Sequence, residues 1–202
     1  VLLPLRLLFC LLALPLPLAA QLMPPAALPT YNAQLATLDQ RGMQVLGAWA
    51  IGNVGVSGAR YFATDGREKY FHQMNVGWGV VNLALAGGSL LAARRATPPA
   101  NQAGTVQAQL RTENLYLLNT GLDVAYVATG FYLKERARTR SNQHQQNRLT
   151  GYGRSLLLQG GFLFAFDGIM FAAHHAHGKT GLYPLLSHLE AGPNAVAFTV
   201  KL

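Results

Sequence analysis

With 202 residues, 50% of them hydrophobic and only 12% charged, the chain fits one compact unit rather than two domains. Its net charge of +8 would suit nucleic acid, but the basic residues concentrate beside apolar segments, which is a topological pattern and argues against nucleic acid as a partner. The single cysteine, Cys10, belongs to the N-terminal leader; the rest of the chain has no disulfide, thiolate nucleophile or cysteine-held metal.

In chain order, the first element predicted is a secretory signal over residues 1–20. Arg6 supplies the positive region, Leu7 to Leu14 the apolar region, and Ala19-Ala20 the small residues before a cut ahead of Gln21. Leu18 departs from the small-x-small rule at that cut. Residues 21–41 read as a proline-containing lead-in with an interfacial helix, stiffened and kept from helical geometry by Pro24, Pro25 and Pro29.

Four apolar segments follow, Gly42 to Phe62, Phe71 to Ala93, Asn114 to Leu133 and Tyr152 to Ala173. Each matches the roughly 20 residues a helix needs to cross the hydrocarbon of a bilayer. The expected fold is an all-α membrane protein: four antiparallel transmembrane helices over 42–173, bundled around a polar seam after the signal peptide. Low mean hydropathy, +0.18, reflects polar loops, glycines, and Asn and Gln within the spans. Nine basic residues would lie inside, from Arg60, Arg67 and Lys69 to Arg148 and Arg154, against six outside. That bias agrees with the positive-inside rule and predicts a bacterial inner (cytoplasmic) membrane location with both mature termini outside the cytoplasm. Small residues at Ala48 and Gly52, Gly121 and Ala125, and Gly160, Gly168 and Ala172 are expected to let the helices approach closely.

Residues 174–202 read as an extracytoplasmic tail. Tyr183 to Ala191 can form a short helix, and Val196, Phe198, Val200 and Leu202 alternate as in a strand. A lone strand has no mate in an all-helical chain, so the end is expected either to be disordered or to pair with another chain.

The run Lys69-Tyr70-Phe71-His72-Gln73-Met74-Asn75-x-Gly77-Trp78, followed by Asn82, resembles a family of small uncharacterised bacterial integral membrane proteins. Similar stretches are Asn119-x-Gly121-Leu122-Asp123-x-x-Tyr126 with Tyr132-Leu133, and Gly151-Tyr152-Gly153-x-Ser155 with Gln159-Gly160-Gly161-Phe162 and Asp167. The resemblance covers about residues 39–175 and implies the membrane fold. It implies no catalytic residues.

Two aspartates, Asp123 and Asp167, stand alone in the otherwise uncharged stretches Asn114 to Leu133 and Ser155 to Ala173. A carboxylate there costs several kcal/mol unless it is protonated, paired or wet. Each therefore needs a partner or a use. Tyr116, Asn119, Asp123 and Tyr126 share one helical stripe, and His72, Asn75, Gly79 and Asn82 share another. Asn53 and Gln159 add polar groups from the first and fourth segments. One reading takes these groups as hydrogen-bonding glue, with Asn82 holding Asp123 and Asn119 holding Asp167. The other takes them as a polar cavity that binds a small molecule or relays protons.

His174, His175 and His177 are weak candidates for zinc or copper, but adjacent histidines point to different faces, so a solvated cap without metal is expected. Haem is disfavoured because His72 lies at the opposite end of the bundle, and no cofactor is predicted. No nucleophile elbow or phosphate-binding loop is present. The function expected is a non-enzymatic membrane component that engages a protein partner, or a second copy of the chain, through its bundle or tail. The alternative is a small-molecule-binding or proton-handling protein built on Asp123 and Asp167.

Overall fold

The computed structural model describes residues 27–183, 189–192 and 195–198; the signal-peptide reading falls outside them. The body is four α-helices: α1 (Ala27–Ala63), α2 (Gly66–Ala93), α3 (Gln102–Arg138) and α4 (Gln143–Gly181). A two-residue link, Thr64-Asp65, joins α1 to α2, and the chain reverses there because Gly66 adopts φ 59°, a left-handed backbone that glycine takes without steric cost. Pro98-Pro99 lies in the loop between α2 and α3. Asn101 then caps α3 by accepting from the Gly104 amide at 2.9 Å, and Asn142 caps α4 by accepting from the Gln145 amide at 3.1 Å.

All four apolar segments lie within these helices, yet three of the helices run well past them, to 37, 37 and 39 residues for α1, α3 and α4. At about 1.5 Å per residue each is some 55 Å long. The expected lead-in is helical from Ala27 onward. Pro29 falls in the first turn of α1, where a missing amide hydrogen costs no helical bond. Beyond α4, β1 (Leu189–Gly192) pairs antiparallel with β2 (Ala195–Phe198). The strand expected to lack a mate therefore finds one just upstream, at the end of the segment expected to be helical.

α1 packs on α2, α2 on α4 and α4 on α3, while α1 makes lesser contacts with α3 and α4. α2 and α3 scarcely touch, which leaves a cleft between them. The glycines that permit these contacts are mostly not the expected ones. A Cβ on Gly52, Gly121 or Gly168 would meet nothing within 4 Å. Close approach occurs instead at Gly79 against the α1 backbone, at Gly130 facing Gly153, at Gly151 against Arg67 to Phe71, and at Gly160 against Tyr126 and Val127. Of the small residues singled out from the sequence, Gly160 alone among the glycines serves as anticipated.

The distribution of polarity is inverted relative to a water-soluble bundle. Asn53, Asn75, Asn82, Gln109, Asp123, Ser155, Gln159, Asp167 and His174 are buried, whereas Ile51, Val56, Phe62, Leu91, Leu118, Phe131 and Ile169 are at least 60% exposed. α2 and α4 are each long and apolar enough to cross a membrane, and only 17% of the apolar stretch of α2 is buried within the protein. A core helix of a soluble protein would bury most of that stretch.

Candidate functional site: an acidic cleft between polar layers

Seven-residue recurrence organises the interior. Gln109, Tyr116, Asp123, Gly130 and Ala137 form the buried stripe of α3, and Gly153, Gly160, Asp167 and His174 form one on α4. Such spacing keeps one seam facing a partner helix. It stacks the polar groups in three layers.

The inner layer centres on Gln159, which is fully buried. Its amide donates to Asn53 Oδ1 at 2.8 Å and to Asn75 Oδ1 at 2.9 Å, while its carbonyl accepts from the Trp49 indole at 3.0 Å. Ser155 donates to Asn75 Oδ1 at 2.6 Å, and the Asn53 amide donates to the Trp49 carbonyl at 2.8 Å. This network ties α1, α2 and α4 together as interhelical glue. His72 is separate from it, near Arg60, Glu68 and Arg154, and its Nδ1 has no hydrogen-bond partner among the described residues. Glu68 and Arg154 form an ion pair beside it, and the Arg154 guanidinium lies 5.4 Å from the centre of the Phe71 ring.

The middle layer is the cleft, a cavity of about 190 Å³. Asn82, Asn119, Asp123, Tyr126 and Asp167 all line it, together with Trp78, Tyr116, Phe166 and the apolar Met43, Leu46, Leu85, Leu115, Leu122 and Leu163. Leu85, Leu115 and Leu122 are 57%, 54% and 46% exposed, whereas the lining residues of α4 are buried. The mouth thus opens sideways between α2 and α3. Edge-to-face ring pairs bound it, Trp78 on Tyr126 at 4.9 Å and Tyr116 on Phe166 at 6.3 Å.

The expected pairing of Asp123 with Asn82 is not made. Asp123 and Asp167 instead line the same cavity as neighbours, with Asn119 beside them. Asp123 Oδ2 and Asn82 Nδ2 are buried without partners, although each residue is only 2% exposed. An unsatisfied donor and an unsatisfied acceptor on the wall of one cavity are costly unless something else engages them. Sequence reasoning selected these residues but could not see that α4 carries Asp167 to the Asp123 side of α3.

The outer layer was largely missed. Tyr31 donates to Gln109 Oε1 at 3.0 Å; Gln109 donates to Glu113 Oε1 at 2.7 Å and to the His174 carbonyl at 2.6 Å. Tyr183 donates to Glu113 Oε1, and His175 Nδ1 lies 3.1 Å from Glu113 Oε2. Burial pushes the Glu113 carboxyl upward, but the bonds from Gln109, Tyr183 and His175 and the charge of His175 outweigh it and hold it below the ordinary 4.5. Burial and the Glu113 charge push the Tyr31 hydroxyl up to about 12.

The three clustered histidines do not form the expected solvated cap. His174 is fully buried against Tyr116, with ring centres 5.4 Å apart. Its Nε2 lies 3.1 Å from Asp39 Oδ1, off the line of a hydrogen bond. His177 stacks on Tyr31 at 4.1 Å, and His175 joins Glu113. They sit on different faces because α4 continues helically through them, and among the described residues no cluster of metal-ligating side chains forms. The sequence signal that would have found this layer is the seven-residue stripe leading from Asp123 back to Gln109 and from Asp167 on to His174.

Fold and layers together define a polar-cored four-helix bundle with an acidic cleft in its side. The chain belongs to a family of unknown function, DUF6992, whose model matches residues 45–168. The matched region takes in both aspartates and the inner layer, and stops short of Tyr31, His174 and Tyr183. No curated protein and no solved structure gives a significant match.

Proposed function

We propose that this is an integral membrane protein of four spanning helices in a bacterial cytoplasmic membrane, and that its cleft binds a small molecule or exchanges protons at Asp123 and Asp167. The membrane reading is supported by the inverted polarity of the bundle. Its orientation rests on charge: the nine basic residues counted as inside cluster towards the end of the bundle with the 64–65 and 139–142 turns, opposite the 94–101 loop. A polar core that acts purely as glue should be fully paired, as the inner layer is. The single observation that carries the site reading is that the cleft is not: Asp123 and Asn82 line it, and Asp123 Oδ2 and Asn82 Nδ2 are buried without partners among the described residues. This favours the ligand- or proton-handling reading over a component whose role is to engage a protein partner through its bundle or tail.

Orientation is tested with single cysteines introduced into a Cys10-free chain. Thr97→Cys, in the 94–101 loop, should react with an impermeant thiol reagent in intact cells, and Gln143→Cys, at the start of α4, should react only after lysis. The reverse labelling would sink the topology.

The site is tested by pairing stability with function. Asp123→Asn and Asp167→Asn keep shape and should fold about as well as wild type. Asp→Leu at either position should cost about 1–3 kcal/mol by stranding polar neighbours. The Asn variants should nonetheless fail to restore whatever phenotype deletion of the gene produces. Stable Asn variants that complement fully would rule out an ionisable role for both residues.

A further inference from the structure

Resting on the cleft as a binding site, we propose that its ligand is a lipophilic primary or secondary ammonium compound that enters sideways from the bilayer. Among the described residues neither aspartate forms an ion pair, and no Lys, Arg or His lines the cleft. Two carboxyl groups side by side in a low-dielectric site do not both ionise without compensation, so one negative charge is the most the pair carries unaided. An uncompensated ion buried there, away from water, is expensive. A single positive charge matches it.

The remaining features specify the rest of the ligand. Asp123 Oδ2 lacks a donor, so the cation should carry an N–H, which a quaternary ammonium does not. Asn82 Nδ2 lacks an acceptor, which a hydroxyl or carbonyl oxygen near the ammonium would provide. Trp78 of α2 and Tyr116 of α3 also line the cleft, and an aromatic lining suits a cation. Leu85, Leu115 and Leu122 at the mouth offer an apolar tail a path to the acyl chains. The chain as a whole bears +8 and so repels cations at long range; a preference for cations has to come from the cleft itself.

Full-length protein in nanodiscs of zwitterionic lipid would be titrated with octylammonium, octanol and octanoate. The chain has 2 tryptophans, so a Trp49→Phe variant leaves Trp78 in the cleft wall as sole reporter, and melting temperatures of the unsubstituted protein give the same ranking without that change. Octylammonium should quench Trp78 and raise the melting temperature with about tenfold or greater preference over octanol at equal concentration in lipid. Asp123→Asn and Asp167→Asn should each abolish the preference. Equal responses to octanol, a stronger response to octanoate, or a preference that survives both substitutions would overturn the ammonium assignment and leave the cleft standing as a site. No response to any of the three would overturn both.

Discussion

Gly151→Val should prevent the bundle from closing. At Gly151 even a Cβ would lie 2.4 Å from the Arg67 carbonyl oxygen, 2.6 Å from Tyr70 Cβ and 2.7 Å from the Phe71 amide nitrogen. Two of these three neighbours are main chain, so no rotamer change relieves the contact; α2 and α4 must separate. The cost should reach about 3 kcal/mol or more, at or above the upper end of ordinary overpacking. For a chain of this size that corresponds to a fall of about 6–12 °C in melting temperature. Separation would also loosen the Asn75–Ser155 and Asn75–Gln159 bonds four to eight residues along the same interface. Gly161→Ala is the control, since a Cβ there meets nothing within 4 Å and alanine is the better helix former. Detergent-solubilised Gly151→Val that melts with wild type would contradict the close α2–α4 crossing at Gly151.

A comparable loss is expected from Glu113→Leu in the outer layer. The change leaves the Tyr183 hydroxyl without its acceptor and the His175 Nδ1 without its partner, and removes one of the two acceptors of the Gln109 amide. Buried groups stranded together in this way cost about 3 kcal/mol. Glu113→Gln should cost less and should separate charge from shape through pH. Because the folded carboxyl is held below the unfolded value of 4.5, its contribution is fully present above that value and is lost as pH falls through the lower, folded one. Wild type should therefore hold its Glu113 contribution from neutral pH down to 4.5 and lose stability below it. The Gln variant, already less stable, should show a shallower acid decline. Parallel acid melting of the two proteins would contradict the assignment of that charge to Glu113.

Much of this architecture is legible in the sequence because burial pattern and element length are local properties. The four apolar runs lie in four helices, and the spacing of Asn75, Gly79 and Asn82 places them together on the buried face of α2. What resists reading is which stripe meets which. Asn82 and Asp123 each sit on the polar stripe of their own helix, but a stripe does not say whether it meets an amide on α2 or a carboxyl on α4. The same limit explains the glycines: four-residue spacing at Gly121 and Gly168 marks a face without saying whether another helix covers it. The outer layer escaped for a different reason. Hydropathy ends a span where charged and polar residues begin, and so cut α4 at Ala173 and α3 at Asn114. Polar helix continues beyond both points, because Tyr31, Gln109, Glu113 and His175 satisfy one another from three helices.

The sideways mouth between Leu85 and Leu122 changes what concentration means for this protein. On the proposed membrane reading that opening faces acyl chains, so the reservoir filling the cleft would be two-dimensional, and occupancy would follow a solute's mole fraction in the leaflet rather than its aqueous molarity. A compound that partitions a thousandfold into lipid would saturate the cleft at a correspondingly smaller dose in water, with no stronger contact to the protein. Changing the ratio of lipid to protein at fixed total ligand should then shift apparent affinity in proportion, and competition between solutes should track their partitioning as well as their fit.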